Sequence, residues 1–379
     1  MFNKIFRNKG TELHKTKSFW STFKKSYLKR KDFKNYWNKL DKSKLPKEIV
    51  ELTNIFITSE SYNLTSKFWR HLIISHYEGF VNSKPGSDPL IDIIRMDYSG
   101  FSYLDEFTVS DTLENLQGEI NIKINLLKKH KNLTVSQSLQ YNLVLLILYE
   151  NIKNKNIFTK YPLIKKNMYE KYNPNLLIDG KFFSQNMIIS LQEYEKIYEL
   201  TKSVKEPLKI LELGAGYGRT ANMILSLEEG IKYVIADLPL SVHFSYNNLK
   251  ASFPNKKIVN GFNINNNEDM MKAFQRNDVL FIFPHQLKFF KNKTFDLTIS
   301  IGNLCEMEKK QIVHYMNVYE NISKFLYIKV WEISGLPFSF YTYYDAKKKS
   351  DYAIKDHWKE HFNRSCFMPS NIYEMGYEF

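Results

Sequence analysis

The chain has 379 residues, 43% of them hydrophobic and 15% aromatic, so it is long enough for two folded domains, and its composition excludes a disordered protein. The net charge is +14, and residues 1–47 alone carry fifteen Lys or Arg against three Asp or Glu, which leaves a near-neutral body behind a basic arm. Two cysteines occur, Cys305 and Cys366, and two are too few for a disulfide framework or a paired-CxxC zinc site.

The basic arm, residues 1–47, admits two interpretations. It carries Phe19, Phe23 and Tyr27 at helical spacing, followed by Phe33 and Trp37. One interpretation is a helix that packs this aromatic stripe on the body, because such stripes are more often core than contact. The other is an amphipathic surface that contacts anionic membrane lipid. A nucleic-acid partner is not expected, because no nucleic-acid-binding signature accompanies the charge.

No secretory or membrane-spanning segment is predicted. The N-terminus, MFNKIFRNKG, lacks the apolar core of a signal peptide. The most apolar helix-like stretch, Leu143 to Tyr149, is too short to cross a bilayer. We therefore expect a cytoplasmic protein, with the basic arm as a route to peripheral contact at the inner membrane face.

Residues 1–204 are predicted to form a mainly helical N-terminal domain with the basic arm at its start. Thr65–Phe80 and Ser136–Ile152 place apolar residues at intervals of three and four, as in amphipathic helices.

Residues 205–379 are predicted to form a second domain of the α/β class, because apolar strand-like runs alternate there with helical segments. The runs are 208–213, 232–237, 256–262, 278–283, 294–301 and 325–331. Near the end, 358–366 and 371–379 are predicted to pair antiparallel. The expected architecture is a mostly parallel Rossmann-like sheet with helices on both faces, which binds ligands beyond the carboxyl ends of its strands.

A glycine turn follows the first of these strands in the stretch LKILELGAGYGRT (208–220). Gly214, Gly216 and Gly218 let a ligand approach the backbone closely. The nicotinamide pattern GxGxxG would need its third glycine at Arg219, so the spacing differs from that class. Glu212 precedes the turn and is placed to accept hydrogen bonds from the amino group of an amino-acid-like ligand.

Asp237 ends the second strand and is placed to accept hydrogen bonds from both hydroxyls of a ribose. Nicotinamide enzymes use the same device, so this carboxylate does not by itself identify the cofactor.

With ELGAGYG, ADLP (236–239) and FDLTISIGNLCEM (295–307), the chain resembles the class I S-adenosylmethionine-dependent methyltransferases. Its helical first half, IFPHQL (282–287) and the Glu306-Met307 pair look most similar to bacterial sugar O-methyltransferases. The resemblance implies that S-adenosylmethionine is the cofactor and that its methionine part lies over the glycine turn. It also implies that Asp237 binds the ribose. The cofactor residues expected from the matched motifs are Glu212, Gly214, Gly216, Gly218, Asp237, Leu238, Gly261, Phe262, Asn263 and Gly302, with Gly261 to Asn263 beside the adenine.

The expected activity is methylation of a sugar hydroxyl, on a nucleotide sugar or a surface glycan. Base methylation is disfavoured, because Gly302-Asn303-Leu304-Cys305 stands where an NPPY-like tetrad would be and neither cysteine follows a proline. Open alternatives are a methyltransferase for another small molecule or a lipid, a non-catalytic module that binds the cofactor or a glycan, and a nicotinamide oxidoreductase.

A hydroxyl acceptor needs a general base. Glu306 is the first candidate, and its alternative reading is a carboxylate stabilised by the N-terminus of the next helix. His285 is the second candidate base. The alternative interpretation is that it is an exposed histidine in a loop without a catalytic role. No metal is expected, because no carboxylate or histidine cluster near these loops has ligand spacing.

Overall fold

The structure is a computed structural model that describes residues 33–83, 135–170, 173, 175–178, 180–205, 207–334, 347–367 and 372–379. Much of the described first half is helical, as the periodicity predicts. The α-helices are α1 (Phe33–Lys39), α2 (Lys47–Thr58), α3 (Ser61–Leu64), α4 (Lys67–Val81), α5 (Val135–Ile152), α6 (Gln185–Thr201), α7 (Arg219–Leu227), α8 (Pro239–Ser252), α9 (Asn267–Arg276) and α10 (Lys309–Ile322).

Strands alternate with helices from residue 209 onward. The strands are β1 (Leu176–Ile178), β2 (Lys181–Phe183), β3 (Lys209–Leu213), β4 (Lys232–Ala236), β5 (Ile258–Asn260), β6 (Val279–Ile282), β7 (Phe295–Ile301), β8 (Ser323–Trp331), β9 (Ile333–Ser334), β10 (Lys347–Lys348), β11 (Lys359–Ser365) and β12 (Ile372–Glu378). Eight of them form one sheet in the order β11-β12-β8-β7-β3-β4-β6-β5. β1 and β2 form a separate antiparallel hairpin, which the sequence patterns do not predict.

The predicted parallel sheet is confirmed, and so is its antiparallel C-terminal pair. β3, β4, β5, β6, β7 and β8 are parallel to one another, whereas β12 runs antiparallel to β8 and β11 antiparallel to β12. Apolar strands that are buried on both faces suit this arrangement, because helices cover the sheet on each side. The chain therefore has a doubly wound, Rossmann-like α/β core.

The sheet has a hydrophobic core on each face. On one face, Ile210 of β3 packs in the same cluster as residues of the N-terminal helices, such as Phe56 and Ile188. On the other face, Leu211 of β3 packs with α10. The side chains of β3 alternate between the two cores because successive residues of a strand point to opposite faces.

The order of the strands beside β4 differs from the order of the chain. β6 pairs with β4, and β5 pairs with the far side of β6, so that β5 lies at the edge of the sheet. All four residues of β6 are buried, whereas one of the three residues of β5 is. β6, the longer apolar run, therefore takes the inner position, because helices cover an inner strand on both faces of the sheet.

The described end of the basic arm belongs to the core. Phe33 is 2% exposed and Trp37 is 1% exposed, and the Trp37 indole nitrogen donates to Asn54 at 2.9 Å. These two residues follow the packing interpretation of the aromatic stripe, while Phe19, Phe23 and Tyr27 lie outside the described residues. No helix in the described part of the chain combines the length and apolarity needed to cross a membrane.

Candidate cofactor and catalytic site

A cavity of about 240 Å³ lies at the carboxyl ends of β3, β4 and β7. The residues proposed from sequence that line it come from the end of β3 and from the turns after these three strands: Glu212, Gly214, Gly216, Asp237, Leu238, Gly302 and Glu306. Its lining does not include Gly218, Gly261, Phe262, Asn263 or His285. The sheet therefore gathers three separate sequence motifs at the edge where open α/β sheets bind ligands.

The glycine turn has a left-handed backbone that requires glycine. The φ angles of Gly214 and Gly218 are +77° and +80°. A Cβ on Gly214 would lie 2.5 Å from the Asn303 amide nitrogen, and a Cβ on Gly218 would lie 3.1 Å from Cβ of Ser245. Gly214 thus lets the Asn303 side chain pack against the turn, whereas Gly218 lets the start of α7 pack against α8.

Asp237 holds the glycine turn. Its carboxylate accepts the backbone N–H of Gly216 at 3.0 Å and that of Leu238 at 2.7 Å. The side chain is buried in the cavity wall, and this burial raises the pKa of Asp237 to about 7, while the two N–H donors oppose the rise. A ligand with hydroxyl groups would supply the further donors that favour the charged carboxylate.

Glu212 is a second buried carboxyl in the wall of the same cavity. It is 2% exposed and accepts the hydroxyl of Tyr233 at 2.8 Å. Burial raises the pKa of Glu212 to about 7, the Tyr233 hydrogen bond acts in the opposite direction, and the nearby Asp237 adds to the rise. A cationic ligand at this place would be stabilised by both carboxyls and would favour their ionised forms.

Asn303 joins the ends of β3 and β7 beneath the turn. Its amide nitrogen donates to the carbonyl oxygen of Leu213, and its amide oxygen accepts the hydroxyl of Ser300. The residue is 7% exposed and lines the cavity. The sequence motifs did not single it out, although a polar residue directly after a buried strand and a glycine is a usable signal.

Glu306 lies in the cavity wall at the end of a short 3-10 turn, Leu304–Glu306. Its Oε2 accepts the indole N–H of Trp69 at 2.5 Å. The alternative interpretation, in which the N-terminus of the next helix stabilises Glu306, does not fit, because α10 begins at Lys309 and its N-cap residue is Glu308. The carboxylate therefore faces a tryptophan from the N-terminal helices and is not part of the first turn of α10.

His285 is attached to Ser61. Its backbone N–H donates to the Ser61 hydroxyl oxygen at 2.9 Å, and its Nδ1 lies 2.8 Å from the same oxygen. Partial burial lowers the pKa of His285, which favours the neutral ring. Because His285 is a contact between the helices and the sheet and does not line the cavity, Glu306 is the better placed candidate base.

Gly261, Phe262 and Asn263 lie one strand away from the expected place. The Gln286 amide nitrogen donates to the carbonyl oxygens of Gly261 and Ile264 at 2.8 and 2.7 Å. The Phe262 ring packs on Phe283, with centroids 4.5 Å apart. The insertion of β6 next to β4 puts Pro284, which lines the cavity, where the adenine loop was expected.

A buried ion network underlies the cavity. The guanidinium of Arg219 donates to both carboxylate oxygens of Glu193, at 2.5 and 2.9 Å, and Lys329 donates to Glu193 at 2.8 Å. Burial alone would raise the pKa of Glu193, but Arg219 and Lys329 outweigh it and hold the pKa at about 2. These three residues line a second cavity of about 20 Å³, and Arg219 also lines the first.

Among the described residues, no group of three or more His, Cys, Asp or Glu side chains is placed to hold a metal ion.

Two tryptophans of the site could not be predicted from the sequence. Trp69 and Trp331 both line the cavity, yet they lie far apart in the chain and belong to no recognisable motif.

Comparisons with known proteins return structural neighbours alone: no family model and no curated protein matches the chain. The PH0226 protein from Pyrococcus horikoshii OT3 has a TM-score of 0.31 and 17% identity, over 49% of this chain and 91% of that one. An S-adenosylmethionine-dependent methyltransferase from Aquifex aeolicus has a TM-score of 0.31 and 11% identity, over 49% and 87%.

Magnesium protoporphyrin IX methyltransferase from Synechocystis PCC 6803, solved with bound S-adenosylhomocysteine, has a TM-score of 0.36 and 10% identity, over 60% of this chain and 96% of that one. These scores and identities are low, and the case for a cofactor in this chain therefore rests on the residues of the cavity.

Proposed function

We propose that the chain is an S-adenosylmethionine-dependent O-methyltransferase whose acceptor is a sugar hydroxyl, on a nucleotide sugar or a surface glycan. The observation that carries the proposal is the cavity that joins the glycine turn, two buried carboxyls and Glu306 at one edge of the sheet. The sugar class rests on the resemblance of the sequence motifs.

The residues of the cavity fit the cofactor. Gly214 and Gly216 bring the bare backbone of the glycine turn to the cavity wall, and Asn303 packs so closely on Gly214 that a Cβ there would lie 2.5 Å from its amide nitrogen. Glu212 suits the ammonium group and Asp237 the ribose hydroxyls, because burial has raised the pKa of each carboxyl and a donor or a cation would offset that cost. The glycine turn, together with Leu238 and Gly302 in the wall, would lie along the rest of the molecule.

When bound, S-adenosylmethionine would supply a methyl group on a cationic sulfur; transfer to a hydroxyl oxygen would break the carbon–sulfur bond, leave its electron pair on sulfur and require a residue of this chain to accept the hydroxyl proton. Glu306 would accept that proton, because it is a carboxylate in the cavity wall beside the glycine turn. The remaining work of the protein is alignment of the hydroxyl with the methyl group, which the rigid cavity wall would provide.

Calorimetry with the full chain tests the cofactor. S-adenosylmethionine and S-adenosylhomocysteine should bind and raise the melting temperature, and NADH should not. Binding of NADH without binding of S-adenosylmethionine or S-adenosylhomocysteine would contradict this proposal and favour a nicotinamide oxidoreductase.

Methyl transfer tests the acceptor. Labelled S-adenosylmethionine should pass its methyl group to members of a panel of nucleotide sugars and methyl glycosides. If the cofactor binds and the label moves instead to a lipid or another small molecule, the methyltransferase stands and the sugar class fails. If the cofactor binds and no acceptor is found in either set, the non-catalytic alternative is favoured.

A further inference from the structure

The strand order divides the cavity into two halves. Asp237 follows β4, on one side of the glycine turn after β3. Glu306 follows β7, on the other side of β3, and Trp331 ends β8, the next strand along. If the ribose lies at Asp237, as in the proposed function, the half with Glu306 and Trp331 is left for the acceptor.

A segment of the N-terminal helices, Glu60–Arg70, contributes Leu64, Thr65, Ser66 and Trp69 to the cavity wall. It is attached to the α/β core by four hydrogen-bonded contacts along its length. They are Glu60 with Lys288 at 2.6 Å, Ser61 with His285 at 2.8 Å, the Leu64 carbonyl with Gln311 at 2.7 Å, and Trp69 with Glu306 at 2.5 Å. The wall is therefore fixed to the core by the fold itself.

The last of these contacts joins the two parts of the molecule inside the cavity. Trp69 lies in the first turn of α4, which Ser66 caps by accepting the Trp69 backbone N–H at 3.2 Å. The indole nitrogen is a donor only, so its bond to Oε2 of Glu306 fixes the orientation of the carboxylate. Both side chains line the cavity.

We propose that Trp69 is a positioning residue that holds the Glu306 carboxylate at the acceptor half of the cavity, and that this half, lined by the rings of Trp69 and Trp331, receives the ring of the sugar acceptor. The inference rests on the proposed function for the identity of the acceptor. Aromatic rings offer a large apolar surface, which suits the C–H face of a pyranose, while the carboxylate suits its hydroxyl groups.

The hydrogen bond itself is tested by the indole N–H signals of the full chain labelled with ¹⁵N-tryptophan. Trp69→Phe assigns the Trp69 signal, and Glu306→Gln should move that signal and leave the others in place. Trp358 gives a matched control, because its indole also donates to a glutamate, Glu320, at 2.8 Å. Glu320→Gln should move the Trp358 signal and leave Trp69 unchanged. A Trp69 signal that ignores Glu306→Gln would overturn the positioning role.

The acceptor half is tested on the same labelled protein, saturated with S-adenosylhomocysteine. Adding methyl pyranosides should shift the signals of Trp69 and Trp331 and leave those of Trp37 and Trp358, which are buried in the two cores. If the product binds but the pyranosides move neither signal, this assignment of the acceptor half is wrong. Failure of S-adenosylhomocysteine to bind would instead contradict the proposed function.

Turnover separates positioning from folding. With an accepted sugar from the panel, Trp69→Phe should lower kcat by about 10–100-fold, since a misplaced base loses alignment, and leave cofactor affinity within about twofold. Trp358→Phe should leave both unchanged. Equal kcat in Trp69→Phe and the intact protein would show that the indole N–H does not position the base.

Discussion

At the scale of single residues, the site depends on carboxyls that the fold keeps out of water. Glu212 and Asp237 are both buried in the cavity wall, and burial raises the pKa of each to about 7. Glu193 is buried as deeply, yet two cations hold its pKa at about 2. The same residue type thus has a pKa near 7 in one place and near 2 in another, because the neighbouring charges differ.

The raised pKa of Glu212 predicts a pH dependence of stability. The folded carboxyl takes up its proton near pH 7 and the unfolded one near 4.5, so its favourable contribution is complete below pH 4.5 and is lost as the pH rises through 7. The loss is on the order of 3 kcal/mol. Glu212→Gln cannot ionise, so its melting temperature should fall less between pH 5 and 8. Parallel curves for the two proteins would contradict this environment for Glu212.

The glycine turn predicts a strong effect of one methyl group. Gly214→Ala should destabilise the fold and weaken S-adenosylhomocysteine binding more than tenfold, because its Cβ would meet Asn303 at 2.5 Å. Gly180, in the turn of the β1–β2 hairpin, has the same φ of +77° with no described atom within 4 Å of a Cβ. Gly180→Ala should therefore cost only the backbone strain, about 1–2 kcal/mol, and leave binding unchanged. Denaturant melts and calorimetry compare the two variants, and equal costs would show that strain alone decides.

At the scale of secondary-structure elements, a buried ion network joins α6, α7 and β8. Glu193 lies on α6 and accepts from Arg219 at the start of α7 and from Lys329 on β8. The three elements come from both parts of the chain and meet below the cavity. This network fixes the helix that follows the glycine turn, and one of its three members, Arg219, also lines the cavity.

Breaking the network should cost far more than breaking a surface pair. Glu193→Gln should destabilise the protein by about 3–5 kcal/mol, because it leaves the buried Lys329 and the partly buried Arg219 without their carboxylate. Glu268→Gln is the control, since Glu268 and Lys272 are 78% and 51% exposed and should contribute less than about 1 kcal/mol. Urea unfolding at neutral pH measures both. A Glu193→Gln cost as small as that of the control would mean that the network adds little net stability.

At the scale of the whole molecule, the N-terminal helices and the sheet share one hydrophobic core. Phe33, Phe56 and Ile147 belong to the same cluster as Ile210 and Ile299 of the central strands. The helices also provide the Trp69 wall of the cavity. The first half of the chain is therefore both a structural support of the sheet and a part of the candidate site.

This packing refines what a deletion of the basic arm should do. Removal of residues 1–32 takes away ten Lys or Arg and two Asp or Glu and spares Phe33 and Trp37. If the arm contacts membranes, this deletion should reduce binding to vesicles that contain anionic lipid at low salt, and should leave cofactor affinity unchanged. Vesicle co-sedimentation of the intact and shortened chains measures the effect, and equal binding by both would remove the membrane proposal.

Removal of residues 1–47 should instead unfold or strongly destabilise the protein. It deletes Phe33, Trp37 and Leu45 from the core, and truncation of one buried aromatic residue alone costs about 3–5 kcal/mol. A chain from residue 48 onward that melts like the intact protein would show that this part of the arm does not support the fold.

The sequence by itself determined the strands of the eight-stranded sheet and the glycine turn. The apolar runs 208–213, 232–237 and 294–301 predict β3, β4 and β7, because a strand that is buried on both faces of a sheet needs apolar side chains at nearly every position. The three glycines predict a turn with positive φ, because the backbone requirement lies within the turn itself.

Only the tertiary structure decided which elements are neighbours. The insertion of β6 between β4 and β5, which moves Gly261 to Asn263 away from the cavity, depends on which strand is best covered. The bond between Trp69 and Glu306 joins residues 237 positions apart, and the pKa values of Glu212 and Glu193 depend on groups from several elements. A local sequence pattern cannot predict such contacts. They form when elements that are far apart in the chain pack against one another.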